Sequence, residues 1–335
     1  MVSKAKSEFS IMTDMLIVLL VLAAVSVYYY GMRAAIVLLI CTAVCCAADF
    51  ICLKLRKKEF DIHDLSSLIT GLTLGLMMSA SVPYYAAVVA SLFAVVIAKH
   101  AFGGHGCEIF NAAAAGFLFT ALCFPDNMLT YPQSFSDIPY SSIVSPDILS
   151  PSMTKSFILT DTSTLSVPDI LAGKFVGPLG TNFIIILAVG AVFLMLRRSV
   201  SAIAFFAELV TALLFAFVHY EYDLLSVLYF FSSGMMLFGM IFLSCDHSTI
   251  PKTKSSRAVY GILMGACIVL FHFYARVENA VVYAAILTAP LGIELDRRAL
   301  SFAEMMNKKS IFRRVNKPLK HMQETLEILD KNEQE

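Results

Sequence analysis

Residues 99–117 read KHAFGGHGCEIFNAAAAGF and combine glycines with side chains that could do chemistry. Glycines at the start of a helix leave backbone N–H groups free to meet an anion such as a phosphate. The candidates for cofactor binding are therefore Gly103, Gly104 and Gly106. Metal binding is an alternative, because two histidines and Glu108 flank the glycines, although their spacing fits no standard metal site. A third interpretation is structural: a loop that enters the membrane as a broken helix.

Glu208 lies near the middle of the apolar run SAIAFFAELVTALLFAFVHY. A carboxylate at the centre of a bilayer costs about 2.5–3.5 kcal/mol on insertion scales, so such residues usually face a cavity or a partner. We place Glu208 on a candidate ion path, together with Glu108 and Asp246. The alternative for Glu208 is a protonated, hydrogen-bonded side chain that serves packing.

The eight cysteines contain no CxxC pair, so the spacings typical of zinc and iron–sulfur sites are missing. Most of them lie in or beside apolar runs, where free cysteine packs as a small apolar side chain. The sequence therefore predicts no metal centre.

The composition is that of a membrane protein. Of the 335 residues, 58% are hydrophobic and 15% are charged, whereas a soluble domain carries about 45–50% apolar and about 25% charged residues. The excess of apolar residues predicts an all-α polytopic protein surrounded by lipid. The formal net charge of zero gives no reason to expect nucleic acid as a partner.

A helix that crosses the bilayer needs about 20 apolar residues. The chain holds ten candidate spans, of which the third and fifth are short and interrupted by glycine or polar residues, as broken helices are. The first span has no cleavage site and is predicted to be retained. The candidates are 11–30, 33–53, 65–82, 84–99, 107–124, 182–196, 200–219, 224–244, 258–275 and 280–294.

Lysine and arginine predict the orientation, because basic loops stay on the cytoplasmic side. With the N-terminus inside, 21 of the 25 basic residues fall in cytoplasmic segments. This predicts cytoplasmic N- and C-termini and divides the chain into four parts. They are a first membrane half at 1–124, an external loop rich in Pro, Ser and Thr at 125–181, a second membrane half at 182–295, and a basic, helical cytoplasmic tail at 296–335.

The two halves share a pattern. The stretches 64–75 and 246–265 each have an aspartate, a threonine and then a GxxxG step. Small residues at that spacing let helix backbones approach closely. Corresponding helices in two halves are also what inverted repeats produce around a site in the membrane, so two inverted repeats are predicted. Chance is the alternative, since GxxxG is common in membrane helices.

The segment at 99–117 resembles the K-x-x-F-G-G-x-G-x-N-I-F-N-P-A signature of a known family. That family comprises the membrane protein RnfD of Rnf complexes and its counterpart NqrB, which are flavin-carrying components of bacterial ion-pumping redox complexes. Two further stretches resemble elements of the same family and occur in the same order: DLSSLITGLTLGLMMSASVPYY and CDHSTIPKT. Asn111 matches the asparagine of the signature and joins the glycines as a candidate cofactor-binding residue.

The sequence departs from the signature at two positions. Glu108 stands where the family has asparagine, and Ala112 where it has proline. These changes add a charge and remove a fixed turn.

The resemblance implies FMN bound covalently to a threonine of the external loop through its phosphate. In the stretch LTDTSTLSVPDILAGKFVGPLG, Thr164 occupies the attachment position. Asp161, Thr162 and Ser163 replace the usual S-G-A before it, so Thr160, Thr162 and Ser163 remain alternative acceptors. A Ser/Thr-rich external loop without flavin is the further alternative.

The resemblance also implies a function. The chain would be one component of an Rnf-type ion-translocating electron transport complex in the bacterial cytoplasmic (inner) membrane, without full oxidoreductase activity alone. It would pass electrons through FMN, coupled to Na⁺ or H⁺ transport. Its partners would be the other subunits, where ferredoxin and NAD dock, and an external flavin-attaching transferase. A second flavin such as riboflavin would sit in the helix bundle.

Two alternative functions are kept. A close variant of the first function is that of a subunit of a related, flavin-based extracellular electron-transfer system. A flavin-free solute channel or transporter on the same fold belongs to a different class.

Overall fold

The computed structural model describes residues 8–57, 64–104, 106–136, 138–140, 144, 149–152, 167–171, 173, 175–232, 235–246, 249–299 and 301. The predicted FMN acceptors, Thr164 and its alternatives Thr160, Thr162 and Ser163, lie outside the described residues. So does the predicted helical tail beyond residue 301.

The first half is built from apolar helices joined at polar turns. Its longest element, Glu8–Leu55, consists of two helices that meet at Gly31, whose backbone (φ 70, ψ −162) is not helical, and these two helices correspond to the predicted spans 11–30 and 33–53. The helices are α1 (Glu8–Leu55), α2 (Ser66–Met77), α3 (Tyr84–Leu92) with its π-helical continuation Phe93–His100, and α4 (Ala112–Cys123).

Short elements connect the halves. They are α5 (Pro125–Met128), β1 (Thr130–Pro132), β2 (Leu149–Pro151) and α6 (Val167–Leu171). The two strands form an antiparallel pair in which Thr130 faces Pro151. The chain is therefore mostly helical, with one small two-stranded sheet in the loop that was predicted to be external.

The second half repeats the pattern of long and short apolar helices. Its elements are α7 (Ile184–Leu196), α8 (Ala202–His219), α9 (Leu224–Ser232), α10 (Met236–Phe242), α11 (Lys254–Val269) with its π-helical continuation Leu270–Tyr274, and α12 (280–299).

Three helices of the described chain are long and apolar enough to cross a membrane: Glu8–Leu55, Ala202–His219 and Lys254–Tyr274. The α9–α10 pair, bent by 55°, is a fourth candidate span, and several shorter apolar helices lie beside them. Bent and short helices are those expected of broken membrane segments. The count of ten spans and the inverted repeats stay predictions.

Both GxxxG steps bring helix backbones together, as predicted. A Cβ added to Gly71 of α2 would lie 2.7 Å from the Cα of Thr42 in α1. A Cβ added to Gly265 of α11 would lie 2.7 Å from the backbone oxygen of Glu208 in α8, and one at Gly261 would meet the carbonyl of Ala204. Only glycine permits these contacts.

Arg33 fastens α1 to the turn that follows α2. Its guanidinium is buried and donates to the carbonyl oxygens of Ala80 at 2.6 Å and Pro139 at 2.6 Å. It also reaches the carbonyls of Ser81 and Val82. A guanidinium is well suited to this task, because its five N–H donors fan out in one plane and satisfy several acceptors at once.

Candidate functional site

A cavity of about 300 Å³ opens at the end of the bundle that was predicted to be cytoplasmic. The starts of α1 and α2 form one wall, and the glycine-rich loop and the segment after α10 form the other. Its apolar lining includes Ile11, Met15 and Ile69. Its charged lining comprises Glu8, Glu108, Asp246, Lys252 and Arg257.

Three of the residues predicted from sequence meet at the floor of this cavity. Glu108, Asn111 and Asp246 line a smaller cavity of about 30 Å³ that shares several wall residues with the larger one. The structure therefore brings together two stretches of the chain, the glycine-rich loop and the D-x-x-T-x-P element, that were recognised separately in the sequence.

Asn111 is the residue that joins these stretches. Its Oδ1 accepts from the backbone N–H of Ala114 at 3.1 Å and caps α4. Its Nδ2 donates to the Asp246 carboxylate at 3.1 Å and to the Phe242 carbonyl at 3.3 Å. Asn is among the favoured capping residues because its side-chain oxygen satisfies a helix-terminal donor, and here the opposite end of the same amide reaches α10.

The three glycines of the loop all have positive φ, at 130° for Gly103, 97° for Gly104 and 82° for Gly106. The N–H groups of Gly103 and Gly104 donate to the carbonyls of His100 and Lys99, at 3.2 and 3.1 Å. Those two donors close the loop on itself, whereas Gly106 lines the cavity. Gly106 is thus the glycine of the three with direct access to a ligand there.

Glu208 lies behind the cavity and does not line it. It is six residues after the start of α8 at Ala202 and within three residues of the middle of the helix, as the apolar run predicted. Its side chain is buried, and the Ser244 hydroxyl donates to its Oε1 at 2.9 Å. Since Ser244 is two residues before Asp246, one short segment of chain connects Glu208 to Asp246, and Asp246 shares the cavity lining with Glu108.

A buried charged cluster beside the cavity was missed from sequence. The Lys99 ammonium, with its side chain 1% exposed, lies 3.1 Å from the Asp49 carboxylate. It also donates to the hydroxyls of Ser66 at 2.7 Å and Ser67 at 2.6 Å, at the start of α2. His100 approaches the same Asp49 oxygen at 2.6 Å. The available signal was a basic pair ending one apolar run and an aspartate near the end of another.

A second missed cluster lies at the opposite end of the bundle. Tyr131 of β1 is fully buried, and burial, followed by the neighbouring Glu278 carboxylate, raises the pKa of its hydroxyl well above the usual range. Asn279 is a further polar neighbour of the same hydroxyl. Nearby, Asn182 donates to the hydroxyl of Tyr30 at 2.6 Å. Glu278 and Asn279 precede the last apolar run, which is the signal that could have identified them.

The eight cysteines are free thiols. Within the described part of the chain, no group of three or more His, Cys, Asp or Glu side chains is placed to hold a metal ion. The polar groups that remain as candidates for ligand binding are those of the cavity.

Comparison with known proteins points to one family. A family model described as "NQR2, RnfD, RnfE family" matches residues 1–295. The chain is 27% identical over 274 residues to the D subunit of the ion-translocating oxidoreductase complex of Actinobacillus succinogenes, covering 71% of this chain and 77% of that protein.

Two further relatives bear the same kind of name. The corresponding D subunit of Haemophilus influenzae (strain PittGG) is 26% identical over 284 residues, covering 72% of this chain and 78% of its own length. The D subunit of the Na⁺-translocating ferredoxin:NAD⁺ oxidoreductase complex of Acetobacterium woodii is 27% identical over 246 residues, covering 72% of this chain and 73% of the relative.

Proposed function

The chain belongs to the NQR2, RnfD, RnfE family, and from this premise we propose that it is the RnfD component of an ion-translocating, Rnf-type electron transport complex. The family match over residues 1–295 carries the proposal, because it includes both membrane halves and the loop between them. The chain would sit in the bacterial cytoplasmic membrane with both termini inside. Its partners would be the other subunits of the complex and the surrounding lipid.

Flavin would carry the electrons. We assign covalent FMN to Thr164, with Thr162, Thr160 and Ser163 as alternative acceptors, and a flavin-attaching transferase as the partner that makes the bond. The positive-inside distribution of basic residues supports an external position for this loop, where such a transferase would work.

A second, non-covalent flavin fits the cavity at the opposite end. The volume of about 300 Å³ lies at the lower limit of ligand sites. An isoalloxazine ring has two apolar faces and one polar edge, and the lining of the cavity combines the apolar side chains of Ile11, Met15 and Ile69 with the polar side chains of Thr70, Asp246 and Lys252. When bound, such a group supplies one- and two-electron transfer, while the protein supplies position and electrostatics.

The ion coupled to this transfer is Na⁺ or H⁺ in our proposal. Glu108 and Asp246 line the cavity. Glu208 does not line it, and its carboxyl accepts a hydrogen bond from Ser244, two residues before Asp246. Buried carboxyl groups in membrane segments usually mark ion or proton paths. This sequence of carboxyl groups supports an ion path that begins at the cavity.

The proposal is tested by flavin fluorescence. The full chain is produced with a flavin-attaching transferase, denatured in a gel and viewed under ultraviolet light. We expect a fluorescent band that Thr164→Ala abolishes and that Thr130→Ala, a threonine of the same loop, leaves intact. A band that survives Thr164→Ala moves the attachment to Thr160, Thr162 or Ser163.

The absence of any band in the wild type would overturn covalent flavin attachment. Extraction of the native protein with acid then separates the remaining functions. Released flavin would favour a redox protein with a non-covalent cofactor, as in a flavin-based extracellular electron-transfer system, and no flavin at all would favour a solute channel or transporter.

A further inference from the structure

Glu208 is completely enclosed within the helix bundle. Its side chain is 0% exposed, and its backbone is held against α11 by the close approach at Gly265. One carboxyl oxygen, Oε1, accepts from the Ser244 hydroxyl at 2.9 Å. The other, Oε2, has no hydrogen-bond partner among the described residues.

No basic group balances this carboxyl in the described part of the chain. The ion pairs found there involve Asp14, Asp49 and Glu294, and none includes Glu208. An isolated ionised carboxylate in an apolar interior is so costly that the group takes up a proton instead. Burial and the lack of a counter-charge therefore favour the protonated form of Glu208.

The surroundings of the Glu208 carboxyl are better suited to binding a proton than to binding a metal cation. Hard cations take several oxygen ligands. Among the described residues, the hydrogen-bonding neighbour of the Glu208 carboxyl is the hydroxyl of Ser244, which donates to it and also lies 3.3 Å from the Gly239 carbonyl. The surroundings suit an O–H bond on Oε2 better than a coordination shell.

The chain links Glu208 to the cavity over a short distance in sequence. Ser244, Cys245 and Asp246 are consecutive, so the residue that bonds to Glu208 is two positions from one that lines the cavity. The titratable groups beside Glu208 are the thiol of Cys245 and the hydroxyl of Tyr260 in α11. Asp246 lines the cavity and holds the amide of Asn111.

We propose that Glu208 is a proton-binding site and that Ser244, through its hydrogen bond to Oε1, sets the pH range over which the proton is held. Release of the proton breaks the O–H bond of Glu208 and passes the proton to solvent water, and uptake reverses this step. No electrons are exchanged in this step. The use of this proton in ion translocation rests on the proposed function, whereas the binding of the proton does not.

Dicyclohexylcarbodiimide tests the proposal, because it modifies protonated carboxyl groups in apolar surroundings. The full chain in native membrane vesicles is treated between pH 5 and 9, and the modified peptides are identified by mass spectrometry. We expect modification of Glu208 that declines as the pH rises and that sodium chloride does not prevent, relative to choline chloride. Glu208→Gln should lose that modification.

Ser244 provides the discriminating variant. A hydrogen bond donated to a carboxylate favours its charged form, so Ser244→Ala should keep Glu208 protonated to higher pH. The midpoint of the labelling curve should rise by about one to two pH units, as expected for the loss of a hydrogen bond to a charged group. Ser226→Ala is the matched control, because Ser226 donates to the exposed Asp223 at 2.6 Å.

Two results would overturn the proposal. Glu208 that stays unmodified at every pH is ionised or solvated, and modification that sodium specifically prevents identifies a sodium site. Either result is independent of the flavin gel, since the labelling requires no transferase. A failure of this proposal is therefore distinguishable from a failure of the proposed function.

Discussion

The amide of Asn111 donates to the carboxylate of Asp246 at 3.1 Å, although the two residues are 135 positions apart in the chain. This contact joins the start of α4, in the first half, to the segment that follows α10, in the second. The same amide caps α4 through Ala114. One side chain therefore fixes both walls of the candidate site, which makes it the first position to test.

Asn111→Asp should separate these two roles. The aspartate keeps an oxygen for the N–H of Ala114 but loses the donor to Asp246, and it sets two carboxyl groups side by side. Asn111→Leu loses both, including a cap of about 1 kcal/mol. We expect Asn111→Leu to lower the thermal unfolding midpoint in detergent more at neutral pH than Asn111→Asp does. Acidification, by protonating one carboxyl, should restore stability to Asn111→Asp alone.

The packing of α2 on α1 predicts a sharp difference between two glycines of the same helix. A Cβ at Gly71 would meet the backbone of Thr42 at 2.7 Å, whereas one at Gly75 would first meet a side-chain carbon of Leu38 at 3.0 Å. A backbone cannot give way as a side chain can, and overpacking costs about 1–3 kcal/mol. Gly71→Ala should therefore lower the unfolding midpoint clearly more than Gly75→Ala. Equal effects would contradict the close approach at Gly71.

The cluster around Lys99 predicts a strong coupling. Removing one partner of a buried ion pair costs about 3–5 kcal/mol, because the other charge is left uncompensated. Lys99→Met should destabilise the protein by an amount of that order, and so should Asp49→Leu. The double variant Lys99→Met/Asp49→Leu should recover much of the loss, measured as a double-mutant cycle on thermal unfolding. Additive losses would mean that the pair contributes no coupling.

Sequence reasoning identified the elements better than their contacts. The helices, the breaks between them and the GxxxG approaches follow from apolar run length and residue size, which are local properties. The meeting of Glu108, Asn111 and Asp246 was not predicted, since it depends on how two halves of the chain pack. The partners of Lys99 and Tyr131 escaped for the same reason: Asp49 and Glu278 lie far from them in sequence.

The carboxylate of Asp296 holds the backbone at Lys252, a residue of the cavity wall, so acid should weaken this part of the fold. Burial raises the pKa of this carboxyl, but the backbone N–H groups of Lys252 and Thr253, at 2.7 and 3.1 Å, hold it below the usual value overall. The pKa of Asp in the unfolded chain is near 3.9. Because the folded-state pKa is lower, Asp296 stabilises the fold above that pH, and this stabilisation is lost as the pH falls through the folded-state pKa. The difference in unfolding midpoint between the wild type and Asp296→Ala should thus be constant near pH 7 and shrink below about pH 4. A difference that persists unchanged in acid would assign the effect to packing.

Glu108 is the charge that sets this chain apart from the family signature, and it lines the cavity. A negative charge beside a bound flavin disfavours its reduced, anionic form, so Glu108→Asn should raise the midpoint potential of a flavin held there. A rise of about 30 mV would correspond to about 1.4 kcal/mol for a two-electron couple. The measurement is a spectral redox titration in a Thr164→Ala background, where covalent FMN no longer contributes.

Glu221→Gln, which alters an exposed glutamate in the turn after α8, is the matched control for Glu108→Asn and should leave the potential unchanged. A purified Thr164→Ala protein without any flavin would show that the cavity does not hold one. An unchanged potential in Glu108→Asn would place the flavin away from this carboxylate.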